Sequence, residues 1–362
     1  MESTLRVFTF TIGLALVAGT LFSALQTFVV PRSTQDRLTR AVFLAVRAVF
    51  NLIMKPVNTY AGRDRIMAFY APVALLLLVP TWYAMILIGY MLMFWGLGVP
   101  TLFEAYRASG SSLLTLGFAA IDGVARSTLA FSEAAIGLIM VALLIAYLPT
   151  IYAAFSRREM TVTLLEVRAG NPPSATEMLQ RYFRIHGLDR LTDVWEIWEG
   201  WFADIEESHT SLPALVFFRS PQPDHSWVTS AGAVLDAAAL MQSTVDYRDD
   251  AQAALCIRAG FLALRRISDL FAIPYDPNPN RGDPISISRA EYDQVVSELE
   301  KAGIPIKVDR ELAWLDFYGW RVNYDTVLIA LASITMAPPA PWTGTREINY
   351  HLPELLFRHR KN

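Results

Sequence analysis

A short polar segment of the chain combines hydroxyl side chains with glycine in an otherwise apolar setting. It covers residues 109–119 and reads Ser-Gly-Ser-Ser-Leu-Leu-Thr-Leu-Gly-Phe-Ala. The segment is too short to cross a bilayer, and the stretches on either side, residues 66–97 and 134–155, are long and apolar. Irregular backbone is tolerated at membrane depth only where protein or water satisfies its polar groups. The pattern therefore predicts a re-entrant segment that lines a water-filled path.

Residues 115–119 resemble the selectivity filter of the potassium-channel superfamily, whose usual form is Thr-Val-Gly-Tyr-Gly. Thr115, Gly117 and the aromatic Phe118 match this form, whereas Ala119 replaces the final glycine and the acidic residue comes late, at Asp122. The resemblance covers about residues 66–158 and implies an outer helix, a pore loop and an inner helix. It also implies a homotetramer, because one chain supplies one pore loop.

The resemblance implies a filter built from Thr115, Leu116, Gly117, Phe118 and Ala119, with K⁺ as the permeating ion, no cofactor and no other metal. Backbone carbonyls and the threonine hydroxyl would replace the water around a dehydrated cation. Glycine at 117 permits a backbone conformation that is closed to other residues. If position 119 requires a positive φ, alanine costs roughly 1 kcal/mol or more. Reduced potassium selectivity is the expectation.

Gly137 lies 20 residues beyond Gly117, within the predicted inner helix, and Pro149 lies near its end. In the potassium-channel superfamily the inner helix bends at a glycine about two dozen residues beyond the filter. Gly137 and Pro149 are therefore candidate gating hinges. A small residue that simply lets membrane helices pack closely would produce the same sequence.

Composition predicts a membrane protein joined to a soluble part. The chain is 53% hydrophobic with a mean hydropathy of +0.32, too apolar for an ordinary soluble protein. Residues 1–155 carry a net charge of about +4, and residues 156–362 carry −7. The single cysteine, Cys256, cannot form an internal disulfide and suits a reducing cytoplasm. The chain has no strongly basic stripe, which argues against nucleic acid as a partner.

The N-terminal residues predict a transmembrane helix followed by an interfacial one. Residues 7–30 contain no charge and are long enough to span. A cleaved signal peptide is the alternative, but the first residues are not clearly basic. Residues 31–65 place apolar side chains at helical spacing opposite arginines, which indicates a helix that binds membrane lipids at the headgroup level. A voltage sensor is the other interpretation, but the arginine spacing does not continue.

The pore region is predicted from its charge and capping pattern. Residues 66–97 form an uncharged span, with kinks expected at Pro72 and Pro80. Thr101 and Glu104 have capping-box spacing, so a short helix is expected at about residues 102–114. A surface helix in an extracellular loop is the alternative. The excess of basic residues at 31–65 predicts an N-terminus outside a bacterial plasma membrane, the pore loop outside and the C-terminal half in the cytoplasm.

The C-terminal half is predicted to be a helical domain. Expected helices cover residues 174–186, 191–207, 230–246, 250–273, 288–302 and 311–336, and the only strand candidates are residues 215–219 and 305–308. The tryptophans at 195, 198 and 201 form a stripe typical of a core. Ser288 is the expected N-cap of its helix, and Gly303 the expected C-cap.

Other motifs in this half indicate no chemistry. The five histidines, at positions 186, 209, 225, 351 and 359, have no zinc spacing. The turn-rich residues 276–282 only faintly match a calcium loop. The acidic residues between 196 and 207 suit a solvated helix face better than a catalytic pair, and no catalytic residue is predicted.

The sequence thus predicts an all-α membrane protein with three regions. Residues 1–65 would form a transmembrane and an interfacial helix, residues 66–158 an ion-channel pore domain, and residues 159–362 a mainly α-helical cytoplasmic domain. The expected function is a tetrameric cation channel, with gating controlled by the cytoplasmic domain. A membrane-anchored signalling or scaffold protein is the second hypothesis. An enzyme ranks third, because Glu133, near a predicted span end, is the only ionisable residue in a span.

Overall fold

The computed structural model describes residues 2–28, 30, 36–248 and 250–344, so residues 31–35, His351 and His359 lie outside the described residues. Every regular element within those ranges is helical, which confirms the predicted all-α class. The α-helices there are α1 Glu2–Phe28, α2 Arg37–Met54, α3 Tyr60–Met67, α4 Tyr70–Gly96, α5 Leu102–Leu113, α6 Val124–Ala169, α7 Ala175–Arg184, α8 Leu191–Ser211, α9 Trp227–Ser243, α10 Ala251–Asp269, α11 Arg289–Lys301, α12 Arg310–Arg321 and α13 Asp325–Thr335.

Three helical stretches are long and apolar enough to cross a membrane, as the sequence predicted. They are Ser3–Phe28, Tyr60–Gly96 and Val124–Ala169. The third is longer than the predicted span at residues 134–155, because α6 runs for 46 residues without a break. At 1.5 Å per residue it is about 69 Å long, more than twice the hydrocarbon thickness. Pro149 lies inside this helix and does not end it.

The second stretch differs from the prediction at its start. The helix is interrupted at Ala68 and Phe69, so α3 and α4 are separate. Pro72, where a kink was expected, is the third residue of α4. A proline in the first turn removes no intrahelical hydrogen bond, because the amides of that turn have no helical acceptor. Pro80 lies inside α4, and the kink expected there stays a prediction.

The chain divides into two compact units. The N-terminal unit comprises Met1–Lys55 and Phe69–Ala153, and the C-terminal unit comprises Pro56–Ala68 and Ala154–Asn362. The predicted boundaries lie at 65/66 and 158/159, whereas the units divide at 55/56, 68/69 and 153/154, and α3 belongs to the C-terminal unit. The second division falls inside α6, so no linker separates the two units at that point.

Glycines bring α1 and α4 together in the N-terminal unit. A Cβ at Gly13 would lie 2.4 Å from the Gly89 carbonyl oxygen, and a Cβ at Gly96 would lie 2.8 Å from the Arg6 carbonyl oxygen. Neither distance is compatible with a side chain. Small residues at such contacts let membrane helices approach closely, which gains van der Waals contact where the hydrophobic effect gives no help. The first helix is therefore packed on the predicted outer helix.

A chain of polar contacts joins α4, α1 and α2. The Trp82 indole N–H donates to Ser23 Oγ at 3.0 Å, and Ser23 donates to Asp36 at 2.5 Å. Asp36 in turn accepts from the Thr39 amide at 2.8 Å and caps α2. α2 buries Val46, Phe50 and Met54, while Val49, Leu52 and Ile53 stay exposed. Each polar group in this series of contacts therefore has a partner.

α9 lies at the centre of the C-terminal unit. All of its residues except Gln242 are buried, and α7, α10, α12 and α13 pack around it. The predicted tryptophan stripe is confirmed as core, because Trp195, Trp198 and Trp201 of α8 are each 5% exposed or less. Ser288 is the N-cap of α11 as predicted, Glu291 completes a capping box with it, and Gly303 follows the helix with a φ of 86°.

The structure corrects two local predictions in this unit. The strand candidate at residues 215–219 lies largely in a 3₁₀ turn, Pro213–Phe217, and the candidate at residues 305–308 supplies one isolated bridge, between Ile306 and Val245. The helix expected over residues 311–336 is divided into α12 and α13. The Asn323 side chain donates to the carbonyls of Gly319 and Trp320, and so competes with the main-chain amides that would continue α12.

The close contact between α1 and α4 predicts that two glycine-to-alanine substitutions in α1 differ in their effect on stability. Gly13→Ala should lower the melting temperature of the detergent-solubilised protein, because overpacking costs about 1–3 kcal/mol. Gly19→Ala is the matched control, since nothing lies within 4 Å of its added Cβ. We expect this control to be neutral or slightly stabilising. Equal melting temperatures for the two variants would contradict the close packing of α1 on α4.

Candidate functional site

The short helix α5 begins where the sequence predicted and ends before it could cross a membrane. The Thr101 hydroxyl accepts from the Glu104 amide at 3.1 Å and caps the first turn. The helix has 12 residues, so it is about 18 Å long, against a hydrocarbon core of about 30 Å. One face, including Ala105, Ser109 and Leu113, is buried, and α5 packs against α4.

The C-terminal end of α5 contacts α6 at Gly137. A Cβ on this glycine would lie 2.3 Å from the Leu113 carbonyl oxygen, so no larger residue fits. The Tyr83 hydroxyl of α4 donates to the Gly137 carbonyl at 2.7 Å and joins the third helix to the contact. Close packing therefore accounts for this glycine. The hinge role of Gly137 and Pro149 stays a prediction.

The loop that follows α5 is organised by Ser111. Its carbonyl oxygen accepts from the amides of Leu116 and Gly117, at 2.8 and 3.3 Å. Its hydroxyl oxygen accepts from the amide of Ala119, at 3.1 Å. Ser111 thus accepts hydrogen bonds from three loop amides, and these bonds hold the loop backbone against the end of α5. Serine is suited to this task because its short side chain bonds readily to nearby backbone.

The loop carbonyls differ from the amides. Within the described residues, the carbonyls of Thr115, Leu116, Gly117 and Phe118 accept no backbone hydrogen bond. These four residues are also exposed in the single chain. Because a carbonyl oxygen at membrane depth needs a donor or a cation, this arrangement is chemically suited to binding water or a monovalent cation.

Two residues of the segment 115–119 have left-handed backbone. Gly117 has a φ of 68°, as the prediction for this glycine required, and Thr115 has a φ of 54°. For a β-branched residue this conformation is an outlier and costs of the order of 1–3 kcal/mol. Ala119 is not among the positive-φ residues of the described chain, so the cost expected there is absent. The strained position is at the start of the segment instead.

Sequence reasoning missed the role of Glu133. It was placed near the end of a span, but α6 begins at Val124 and the side chain lies in the third turn, fully buried. Its Oε1 is 2.5 Å from the hydroxyl oxygen of Ser109 on α5. An acidic residue in an apolar segment is itself a sequence feature that points to function.

The C-terminal unit contains a buried arginine that the sequence did not single out. Arg158 of α6 is fully buried and contacts Glu159 at 2.7 Å. It donates to the carbonyls of Leu215 and Phe218, at 2.9 and 2.7 Å, and lies 3.2 Å from His209 Nε2. Burial, together with the adjacent Arg158 charge, holds the pKa of His209 well below its ordinary value. The histidine is therefore neutral, with its proton on Nδ1.

A second arginine attaches α3 to this unit. Arg219 forms a short ion pair with Asp64 and donates to the Tyr60 hydroxyl at 2.6 Å. It also donates to the carbonyls of Thr335 and Met336, at 2.6 and 2.8 Å, at the C-terminal end of α13. The side chains of Arg219 and Asp64 are each 10% exposed. The ion pair fixes the helix that directly precedes α4 in the chain.

A third arginine lies in the core of the same unit. Arg321 of α12 pairs with Asp236 at 2.5 Å and with Asp325 at 2.7 Å, and none of its side chain is exposed. Burial alone would lower the pKa of Arg321, but the two carboxylates outweigh it and raise the pKa. The Tyr324 hydroxyl donates to Asp236 at 2.9 Å. The cluster reads as structural, because its donors and acceptors are used within the core.

Comparison with protein-family models, with curated proteins and with solved structures finds no match. Among the described residues no group of three or more histidine, cysteine, aspartate or glutamate side chains could hold a metal ion. Burial raises the pKa of the Cys256 thiol, so this buried cysteine is a poor nucleophile. The candidate site is therefore the loop after α5, because of its hydrogen bonds to Ser111 and its exposed residues.

The contacts of Ser111 predict how the loop responds to its removal. Ser111→Ala leaves the Ala119 amide without its acceptor, at a cost of about 1 kcal/mol. Hydrogen exchange of the peptide covering residues 114–123 should quicken about fivefold or more. Ser112→Ala is the matched control, because the Ser112 hydroxyl bonds only within α5, to the Ala108 carbonyl. Unchanged exchange in the Ser111 variant would contradict the proposed organisation of the loop.

His209 predicts a loss of stability in mild acid. The unfolded histidine takes up a proton below about pH 6.5 and the folded one does not, so stability falls as pH drops below that value. The slope from one such group is up to about 1.4 kcal/mol per pH unit. His209→Gln, which keeps an acceptor for Arg158, should flatten the fall in unfolding free energy between pH 7 and 5.5.

The control for this measurement is His186→Asn. His186 is exposed and has a φ of 54°, a conformation that asparagine tolerates. This variant should keep the pH dependence of the unsubstituted protein. A His209 variant with the same pH dependence as the unsubstituted protein would show that His209 does not contribute to it.

Proposed function

We propose that this chain forms a tetrameric pore-loop cation channel that conducts potassium. The observation that carries the proposal is the loop after α5, where three amides bond to Ser111 while the carbonyls of residues 115–118 accept no backbone hydrogen bond within the described chain. Four such loops around an axis would present rings of carbonyls. Such rings replace the hydration shell of a dehydrated cation.

The helices around the loop support the same proposal. α5 is too short to cross a membrane, follows the apolar α4 and precedes the apolar α6. This is the order of outer helix, pore helix and inner helix that the resemblance implies. The carbonyl end of α5 leads directly into the loop. The partial negative charge of a helix C-terminus favours a cation there.

The topology proposed from charge places the loop outside a bacterial plasma membrane and the C-terminal unit in the cytoplasm. α2 would lie at the lipid headgroups, where its arginines meet anionic lipid. α6 continues without a break from the N-terminal unit into the C-terminal unit, and Arg219 fixes α3, which directly precedes α4. Both helices that flank the pore loop are thus connected to the cytoplasmic unit, which is how that unit would control gating.

Cation flux from proteoliposomes tests the proposal. The protein should release potassium, and Gly117→Asp should reduce that flux at least tenfold, because the carboxylate side chain would obstruct and charge the carbonyl rings. Aspartate adopts a positive φ more readily than most residues, so it strains the loop less than other charged side chains would. Potassium and sodium gradients should give distinct reversal potentials.

Gly123→Asp is the matched control for the flux measurement. Gly123 lies in the same loop, also has a positive φ, and has nothing within 4 Å of an added Cβ, as is true of Gly117. It lies outside residues 115–119, so its flux should stay within about twofold of the unsubstituted protein. A dimer without flux would contradict the channel and favour a membrane-anchored scaffold.

A further inference from the structure

Glu133 is an acidic side chain enclosed by three helices of the N-terminal unit. None of it is exposed, and its Oε2 atom is buried without a hydrogen-bond partner among the described residues. Its Oε1 atom lies 2.5 Å from Ser109 Oγ on α5. Within the described residues no ion pair joins Glu133 to a lysine, an arginine or a histidine.

Counting protons at this contact favours a neutral acid. Ser109 has one hydroxyl proton and two acceptors within reach, Glu133 Oε1 and the Leu87 carbonyl of α4, which is 3.0 Å away. A main-chain carbonyl can only accept. If Glu133 is protonated, it donates to Ser109, and Ser109 donates to Leu87, so both contacts are hydrogen bonds. If it is ionised, one contact fails and a buried charge has an unpartnered oxygen.

The other groups that face this site do not supply a counter-charge. Tyr90 of α4 is the titratable neighbour, and its hydroxyl is already paired with the Ser132 hydroxyl at 2.9 Å. Ser109 of α5 is neutral. A protonated carboxyl is therefore the state that leaves the fewest polar groups unsatisfied in an apolar environment.

Glu133 also lies at the contact between α5 and α6, directly before the pore loop. Glu133 and Gly137 are four residues apart, so they share one face of α6, and both meet α5, at Ser109 and at Leu113. Ser111, which holds the loop amides, lies between those two contact points on α5. Ser109, Ser111 and Leu113 all lie on α5, which is one rigid helix. A change in the contact between Glu133 and Ser109 would therefore also displace the loop.

We propose that Glu133 is held as a neutral carboxylic acid and acts as the positioning residue that fixes α5, and through Ser111 the pore loop, against α4 and α6. The link to conduction rests on the proposed function. The protonation state and the positioning of the loop do not, and each has its own measurement.

Infrared difference spectroscopy at pH 7 tests the protonation state. A neutral carboxylic acid has a C=O stretching band separate from the carboxylate bands. We expect the difference spectrum between the unsubstituted protein and Glu133→Gln to show this band, and that for the exposed Glu104→Gln, also in the N-terminal unit, not to show it. A difference spectrum that instead shows loss of carboxylate bands would overturn the neutral acid.

Hydrogen exchange of the peptide covering residues 114–123 tests the positioning role without requiring conduction. Glu133→Gln keeps a neutral donor to Ser109 and should exchange within about twofold of the unsubstituted protein. Glu133→Leu and Ser109→Ala each remove the contact and should quicken exchange at least fivefold. The serine variant keeps the test decisive if the leucine variant does not fold. Unchanged loop exchange in Ser109→Ala would overturn the positioning role.

Potassium flux of the same variants then connects the acid to the proposed channel. Glu133→Gln should conduct within about twofold of the unsubstituted protein, and Ser109→Ala should lose most of its flux. If the unsubstituted protein conducts nothing, the channel proposal fails, while the infrared and exchange results still decide the state and role of Glu133. If Ser109→Ala loosens the loop yet conducts normally, positioning by Glu133 has no part in conduction and that part of the inference is wrong.

Discussion

The rest of the candidate site depends on the contact between α5 and α6. The Leu113 carbonyl occupies the space that any side chain at Gly137 would fill, so the end of the short helix is fixed to within a narrow range of positions. The loop begins there, and the serine that holds its amides lies two residues before that end. This close approach leaves no room for α5 to move nearer to α6, so the start of the loop is held in place.

The N-terminal unit combines close helix packing with paired polar groups. Glycines at positions 13 and 89 let α1 meet α4, and the Trp82, Ser23 and Asp36 contacts then join α4 to α1 and to the cap of α2. In lipid, apolar side chains gain little by meeting one another, so shape and hydrogen bonding carry a larger share of the association. The same reasoning explains why an acid such as Glu133 has to be placed against a hydroxyl group and not against aliphatic side chains alone.

The C-terminal unit has an apolar core that surrounds two fully buried arginines. Arg158 and Arg321 each reach several acceptors, so their burial is compensated, but replacing such a cluster with apolar residues often makes a protein more stable. A buried ion pair is therefore weak evidence for stability. Each cluster admits few alternative arrangements, and Arg158 joins the last turns of α6 to α8 and to the 3₁₀ turn that follows it. That junction lies on α6, the helix that follows the candidate loop.

Local sequence determined where most elements begin and which faces they bury. Thr101 with Glu104 and Ser288 with Glu291 marked helix starts because a side-chain oxygen reaches an amide three residues away, a contact that needs no tertiary structure. The tryptophans at 195, 198 and 201 marked a core face because their spacing matches the helical repeat. The single helix predicted over residues 311–336 was wrong, because the apolar periodicity continues across Asn323. The Asn323 side chain competes with main-chain amides for the carbonyls of the helix.

Only the tertiary structure decided what the site residues do. Gly137 fits a hinge or a packing contact equally well in sequence, and the carbonyl that meets it comes from a helix more than twenty residues away. Ser111 looked like one serine among several, and Glu133 like a residue at a span end, because neither the loop amides nor Ser109 can be assigned to them from spacing. Local hydrogen bonds and periodicity depend only on residues that are close in the sequence. The partners of a buried polar group depend on which helices meet, and only folding brings those helices together.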